Sequence, residues 1–495
     1  MKTELLILLI ILLYFGLLLC ISALTGRKSD GNNAFFLGNR KSPWYIVAFG
    51  MIGTSISGVT FVSVPGMVEK IGFTYLQMCM GFVVGYVLIA YVLLPIYFKL
   101  HLTTIYEYLK KRLGESSYRT GASYFLLSKI TGAAARLYIV VMLLHTFVFA
   151  KFGIPFYASV GTIIFLIWLY TFKSGIKTII WTDFLQTLVL LTALILILTN
   201  TCRELGFSLP DAVRAVGNES ELSRIFVFDD WHTTQNFFKQ FVSGIFITIV
   251  MTGLDQDMMQ KNLSCRNLHE SRKNMLSYGV CFLPVNLLFL GLGALLVLLG
   301  RAKGLELPSA GDQLLPFFAA DRLGSATTVL FFLGIIAASF SSADSALTSL
   351  TTSVSVDLVN IKKRAQRKQK RIRMMIHITV CVCFFILILA IDHFGRDTSI
   401  IDTIYRLASY TYGPLLGMFT YGLFSRRKIK DRFMPYVALS APILIAVTDW
   451  GCREFLHYQF GYEILLLNAV LTIGGMVLIT NWKGTPERKK AFLSH

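Results

Sequence analysis

Residues 337–349, Ala-Ala-Ser-Phe-Ser-Ser-Ala-Asp-Ser-Ala-Leu-Thr-Ser, place five serines, a threonine and a carboxylate inside a long apolar segment. Hydroxyls in hydrocarbon need partners. A bare Asp at mid-membrane costs roughly 2.5–3.5 kcal/mol, so Asp344 must face protein, water or an ion. Helical spacing sorts the rest: Ala338, Ser341, Ser342 and Ser345 fall at i, i+3, i+4 and i+7, one stripe of small residues and oxygens. Hard cations prefer oxygen ligands, whereas a soft metal would call for Cys, Met or His, and none stands in this stretch. The chemistry on offer is sodium binding. The same stripe also suits two membrane helices packing closely through small residues.

Further polar residues interrupt apolar segments. Residues 50–66, Gly-Met-Ile-Gly-Thr-Ser-Ile-Ser-Gly-Val-Thr-Phe-Val-Ser-Val-Pro-Gly, mix glycines, hydroxyls and a proline in mid-span. A helix broken there exposes backbone carbonyls to a cavity, as in many transporter sites, and a kinked helix packed on small residues is the plainer alternative. Arg136 and Asp183 also lie within apolar blocks, where charges are candidates for function or for pairing with one another. Asp255 and Asp257 are expected at an inner helix end, in a capping or anchoring role.

The elements that must position these residues are membrane helices. A chain of 495 residues that is 55% hydrophobic, with its apolar residues in long blocks, is a polytopic membrane protein. Blocks of spanning length run over 5–24, 45–68, 75–98, 123–149, 155–172, 179–199, 237–258, 278–299, 327–356, 376–394, 404–424, 436–450 and 464–480, predicting thirteen helices. The first is longer than a signal-peptide core and lacks a lipoprotein cleavage pattern. The eight cysteines show no metal or redox spacing. Cys202 and Cys452 both fall in expected outer loops, with nothing in the sequence to bring them together.

The net charge of +19 is resolved by position. Basic residues concentrate in alternate loops: Arg27, Lys28, Arg40 and Lys41; Lys99, Lys110, Lys111, Arg112 and Arg119; Lys173 and Lys177; Lys261, Arg266, Arg272 and Lys273; and the runs 362–373, 426–432 and 483–490. The other loops hold scattered ones such as Lys70, Lys151, Arg301 and Arg453. The positive-inside rule predicts the N-terminus outside and the C-terminus inside, in agreement with an odd number of spans. The basic run 362–373 then anchors topology against anionic lipid, and no nucleic-acid partner is expected. The expected setting is the cell (inner) membrane, crossed many times by one domain, 1–495.

Several stretches together resemble the sodium:solute symporter family. They are the serine-rich segment through Asp357, Thr182-Asp183 to Gln186, Asp255-Gln256 to Gln260, Thr104-Ile-Tyr-Glu-Tyr-Leu109 and Tyr412-Gly-Pro-Leu-Leu-Gly417. The resemblance covers nearly the whole chain. It implies an all-α, LeuT-like fold of two inverted five-helix repeats: an extra first helix (5–24), a ten-helix core (45–424) and C-terminal helices (433–482). It also implies a shared sodium site whose matching positions are Gly53, Ile56, Ala338, Ser341 and Ser342. A second sodium site of some members matches Asp183, Ser341, Asp344 and Ser345, where Asp344 puts a carboxylate in place of the usual hydroxyl.

For the solute, the expected sixth core helix offers Asp255-Gln-Asp-Met-Met, and the seventh has no lysine, both departures from the sugar-transporting branch. The positions instead resemble the branch that carries sialic acid and other carboxylates. Ser55, Ser57 and Thr60 match its hydroxyls, Gln77 its glutamine, Arg136 its arginine, and Phe73 would border the pocket. A guanidinium can hold a carboxylate through two parallel hydrogen bonds.

Energetics favours a second sodium for an anion porter. A tenfold gradient and 100 mV give one sodium roughly 3.7 kcal/mol, of which a monoanion consumes about 2.3, leaving roughly tenfold accumulation. Two sodiums leave about 5.1 kcal/mol, on the order of several thousandfold. The expectation is a sodium-coupled symporter of a small organic solute, a carboxylate such as sialic acid, working as a monomer without an organic cofactor. A neutral sugar or proline is the alternative within transport, and a membrane solute sensor is the alternative from another class. The sequence carries no nucleotide-binding motif and no enzymatic nucleophile with base and orienter.

Overall fold

Long apolar stretches must satisfy every backbone group internally once water is gone, and helices do so within a single segment. The computed structural model describes residues 2–26, 32–172, 175–394, 400–458 and 460–482. Arg27, Lys28, Lys173 and the basic residues of 483–490, read above as inner-loop charges, lie outside the described residues. Among the described residues the secondary structure is helical, with two isolated bridges, Ser42 to Cys265 and Ile429 to Thr480.

The principal helices are α1 (Lys2–Gly26), α2 (Trp44–Ser55), α3 (Gly58–Ile71), α4 (Tyr75–Lys99), α5 (Glu115–Phe147), α6 (Phe156–Thr171), α7 (Ile176–Glu204), α8 (Phe237–Gly253) and α9 (Gln256–Leu263). They continue as α10 (Leu268–Ala302), α11 (Gly324–Leu358), α12 (Gln366–Phe394), α13 (Ile400–Phe424), α14 (Met434–Leu456) and α15 (Ile464–Leu478). Among the described residues, eight helices are long and apolar enough to cross a membrane, and ten spans result if each of two bent pairs counts as one. Helices α6 and α15 are shorter apolar segments.

The two bent pairs form the centre. Helices α2 and α3 meet at 60°, with Ile56 (φ −84, ψ 82) and Ser57 (φ −70, ψ 169) leaving the helical region. The glycines explain the location. A Cβ on Gly58 would lie 2.1 Å from Ser339 Oγ, and one on Gly53 would lie 2.1 Å from Thr187 Oγ1, so both sides of the break press against α11 and α7. Helices α8 and α9 meet at 64°, after a wide π-turn over Ile249–Gly253, with Asp255 extended (φ −101, ψ 121).

This second break corrects the sequence reading. The hydropathy pattern predicts a single span over 237–258 that ends at Asp255 and Asp257 and releases Lys261 into an inner loop. Instead, the chain turns at Leu254 and Asp255 and continues as α9, whose residues from Gln256 to Leu263 are all buried. The polarity of Gln-Asp-Met-Met-Gln-Lys-Asn looks like solvent, but partners inside the protein take water's place. Gln260 Nε2 donates to Phe36 O (2.7 Å) and Thr352 Oγ1 (3.1 Å), and Asn262 Nδ2 to Met258 O (3.0 Å).

Helix α11 is the axis of the bundle and is buried from Phe331 to Ser353 save Leu333. It packs along α7, α5 and α2, while α1, α12 and α14 lie outside with mostly exposed faces. The long connection 205–236 carries a short helix, Leu209–Asn218, opened by a reciprocal Ser208/Asp211 capping box. All eight cysteines are free, Cys202 and Cys452 included.

Candidate functional site

The stripe on α11 meets the first helix break at Thr54. Its hydroxyl lies 3.1 Å from Ser341 Oγ, and Ser341 in turn donates to Asp183 Oδ1 on α7 at 2.6 Å. The break ends α2 after Ile56 N–H has bonded Ile52 O, so the following carbonyls, Gly53 onward, run out of in-helix donors. Ala338 on α11 is wholly buried, and Ser342 donates to Ser339 O at 2.9 Å while keeping its oxygen's lone pairs. The structure thus brings the first helix break and α11's hydroxyls together at Thr54 and Ser341. Oxygen donors of this kind suit a hard monovalent cation.

Beyond Ser341 lies a second group of oxygens. Asp344 Oδ2 accepts from Tyr170 OH at 2.9 Å, but Asp344 Oδ1 and Ser345 Oγ have no hydrogen-bond partner although both residues are buried. Buried oxygens left this way incur the cost of desolvation without compensation, which a cation among them removes. Asp183 does not pair with Arg136, one of the alternatives the sequence left open. Its Oδ2 lies 2.7 Å from the ammonium of Lys261, itself 1% exposed.

A polar cavity opens on the other side of the break. Its walls include Ser55, Ser57 and Thr60 from the α2–α3 break, Lys129 and Arg136 from α5, Asp255 and Asp257 from the α8–α9 break, Tyr278 from α10 and Ser342 from α11. Lys129, absent from the sequence reading, is committed: its Nζ lies 3.1 Å from Asp255 Oδ2 and 2.7 Å from Asp257 Oδ2. Asp255 also accepts from Tyr412 OH at 2.7 Å, and it caps α9 through Asp257 N–H at 2.8 Å. The capping role expected for it is present, although at the cavity and not at an inner helix end. Arg136 is half-buried on the wall, and no described residue forms an ion pair or hydrogen bond with its guanidinium. Ser55 Oγ lies 2.5 Å from Tyr278 OH, which also accepts from Tyr86 OH at 2.9 Å.

Phe73 and Gln77 stand elsewhere. Gln77 donates through Nε2 to Gln235 O (2.9 Å) and Thr74 O (3.2 Å), and its Oε1 accepts from Val227 N (3.1 Å). Phe73 N donates to Arg224 O at 3.0 Å. Both residues fasten the connection 205–236 and are not among those lining the cavity.

The two missed lysines left faint signals. Lys129 precedes Arg136 by seven residues, hence on the same face, and Lys261 follows Asp257 by four. The stretches that carried the resemblance meet in space as well: Thr104 Oγ1 donates to Asp357, as does Tyr118 OH (2.9 Å), while Gln256 Oε1 accepts from Ile105 N (2.9 Å).

Two broken helices beside a polar cavity, with buried oxygens behind it, are the architecture of a secondary transporter. The chain belongs to the sodium:solute symporter family, which matches residues 35–431, and its members are transporters, not enzymes. Among curated relatives it is 24% identical over 468 residues to the sodium/sialic acid symporter NanT of Aliivibrio fischeri, covering 93% of this chain and 91% of the relative. It is 22% identical to the sodium/sialic acid symporter SiaT of Proteus mirabilis (90% of each chain), and 25% identical to the sodium-dependent multivitamin transporter of Oryctolagus cuniculus (81% of this chain, 62% of the relative). A solved substrate-bound, outward-open Na+-coupled sialic acid symporter shares the fold at a TM-score of 0.82 and 18% identity over 96% of this chain and 97% of that one. The nucleobase-cation symporter Mhp1, in a closed conformation with bromovinylhydantoin bound, superposes at 0.52 with 15% identity, over 91% and 96%.

Proposed function

We propose that this transporter imports a small carboxylate, sialic acid or a related sugar acid, together with sodium, by alternating access around the cavity between the two broken helices. Arg136 carries the reading. It is the guanidinium on the cavity wall without an acidic partner among the described residues, whereas Lys129 beside it is already shared by two carboxylates. An arginine so placed is preorganised for a bidentate carboxylate, with Ser57 and Thr60 opposite for hydroxyls. The sialic acid symporters among the relatives support the same class of solute.

Sodium binds first at the shared site, between the carbonyls of Gly53 and Ile56 and the oxygens of Ala338, Ser341 and Ser342. Because Ser342 also lines the cavity, filling the ion site fixes the wall that the solute meets. This is how one site favours occupancy of the other, reciprocally. A second cation sits among Asp183, Ser341, Asp344 and Ser345, supported by the unpartnered oxygens there. The two bent pairs and the Mhp1-like fold support inverted five-helix repeats, and the helix series supports thirteen spans with the N-terminus outside and the C-terminus inside. The unit is a monomer in the cell (inner) membrane.

Uptake of labelled sialic acid into proteoliposomes, with and without an inward sodium gradient, tests the proposal. Accumulation that needs the gradient is the expected result. Sodium-dependent thermal stabilisation without any response to sialic acid would discard the solute, and no response to sodium would overturn the ion site as well.

A further inference from the structure

The second cation site contains a lysine that the oxygens alone do not call for. Lys261 Nζ lies 2.7 Å from Asp183 Oδ2 and donates to Thr54 Oγ1 at 2.5 Å. It reaches there from α9, through the centre of the molecule, with its side chain and that of Asp183 each 1% exposed. Its partners belong to α2 and α7, and Thr54 and Asp183 are joined to each other through Ser341 at 3.1 and 2.6 Å. An ammonium in this position has the charge of a sodium ion and takes up Asp183 Oδ2, an oxygen that such an ion would otherwise use. Unlike sodium, it cannot leave the chain.

Charge bookkeeping then separates two roles. Asp183 and Asp344 are both buried, and Lys261 is the cation facing them among the described residues, so with both carboxylates ionised the group carries one more negative charge than its own lysine compensates. The geometry locates it. Asp183 spends one oxygen on Lys261 and the other on Ser341 Oγ, whereas Asp344 has Tyr170 OH on one oxygen and nothing on Oδ1. The neighbouring Ser345 Oγ is equally bare and 1% exposed. Isolated buried charges are strongly disfavoured unless paired, so the unmet need for a cation is at Asp344 and not at Asp183.

We propose that Lys261 is a cation built into the chain that occupies Asp183, and that the exchangeable sodium of the second site is therefore held by Asp344 and Ser345. The inference rests on the sodium-symport reading above. The two residues are a matched pair: a lysine adds one positive charge to the site, and an aspartate adds the negative charge that keeps a sodium-binding valence. Because Lys261 rides on one broken helix and Thr54 on the other, this fixed cation also ties the two together.

The test is sodium-22 equilibrium binding to the purified full-length protein, which needs no knowledge of the solute. Wild type should bind two sodium ions per chain, and Asp344→Ser one. The double variant Lys261→Met, Asp344→Ser should regain two, because Asp183 is released to ligate sodium while the introduced serine hydroxyl replaces a carboxylate oxygen. That double variant carries the same net buried charge as wild type, so its folding is protected where Lys261→Met alone would leave two bare carboxylates. In proteoliposomes at zero potential with a tenfold sodium gradient, the limiting accumulation of transported solute should be about a hundredfold, tenfold and a hundredfold in the same order. Two ions retained in Asp344→Ser, or one in the double variant, overturns the proposal. One ion in wild type overturns it too while leaving sodium symport intact, and no sodium binding in any variant removes both.

Discussion

Replacing Arg136 by Gln keeps the side chain's polarity and removes its charge. In the wild type the charged residues of the cavity wall cancel: Arg136 and Lys129 against Asp255 and Asp257. Lys129 cannot stand in for the lost guanidinium, because both carboxylates, at 3.1 and 2.7 Å, hold it. The variant cavity therefore becomes net negative just where an anion must enter. Hydrogen bonds to charged groups contribute about 1.5–3 kcal/mol, so binding of a carboxylate should weaken by about ten- to a hundredfold or slightly more. A neutral methyl ester, which uses the arginine only as an ordinary donor, should lose about threefold or less. The assay is competition of sialic acid and its methyl ester against labelled solute in proteoliposomes at saturating sodium. Equal losses for acid and ester, with unchanged thermal stability, would refute carboxylate recognition by Arg136 and leave it an architectural residue.

Ser342→Ala should raise the sodium concentration for half-maximal uptake by about three- to tenfold, the loss of one ligand hydroxyl, and an unchanged sodium dependence would remove Ser342 from the site. Gly53→Ala would set a Cβ 2.1 Å from Thr187 Oγ1 and 3.1 Å from Thr187 Cα, so α2 must move off α7. The cost should be about 1–3 kcal/mol, read as a lower thermal midpoint together with weaker sodium binding, and normal values for both would contradict the close approach. Lys129→Met leaves Asp255 and Asp257 buried without their cation and should destabilise by about 3–5 kcal/mol, with most of the loss recovered by adding Asp257→Asn. Thermal unfolding in detergent checks this, and a double variant no more stable than the single one would show that the ion pair is not the source.

Local patterns carried the parts of this molecule that depend on a single helix. The stripe Ala338, Ser341, Ser342 and Ser345 is a matter of 3.6-residue periodicity, and all four residues are buried on α11. The break at Ile56 and Ser57 was legible because glycines, hydroxyls and a proline fall together in mid-span, a pattern that a broken or a kinked helix accounts for. Gln77 shows the opposite case. Its position on α4 was readable, but its partners, Gln235 O and Val227 N, come from a connection some 150 residues away, and nothing local says which loop will cover a helix end.

The hidden lysines follow from the same limit, with an electrostatic twist. Arg136, Asp183 and Asp344, the mid-span charges singled out in the sequence, sum to one negative charge. Lys129, Lys261, Asp255 and Asp257 sum to zero, so adding them to the membrane interior leaves the total unchanged. Asp255, Asp257 and Lys261 together read as a polar turn at the surface, and Lys129, within the span 123–149, has no acidic residue in that span to mark it as paired. The four reveal themselves only through pairing across helices: Lys129 of α5 to the α8–α9 break, and Lys261 of α9 to α7. Each buried ion pair is expensive to desolvate and adds little net stability, so packing alone does not account for keeping both at the two breaks. Both stand at the breaks of the helices that surround the cavity, joining elements that the proposed alternating access would have to move, and the energy of such a pair would then depend on the conformational state.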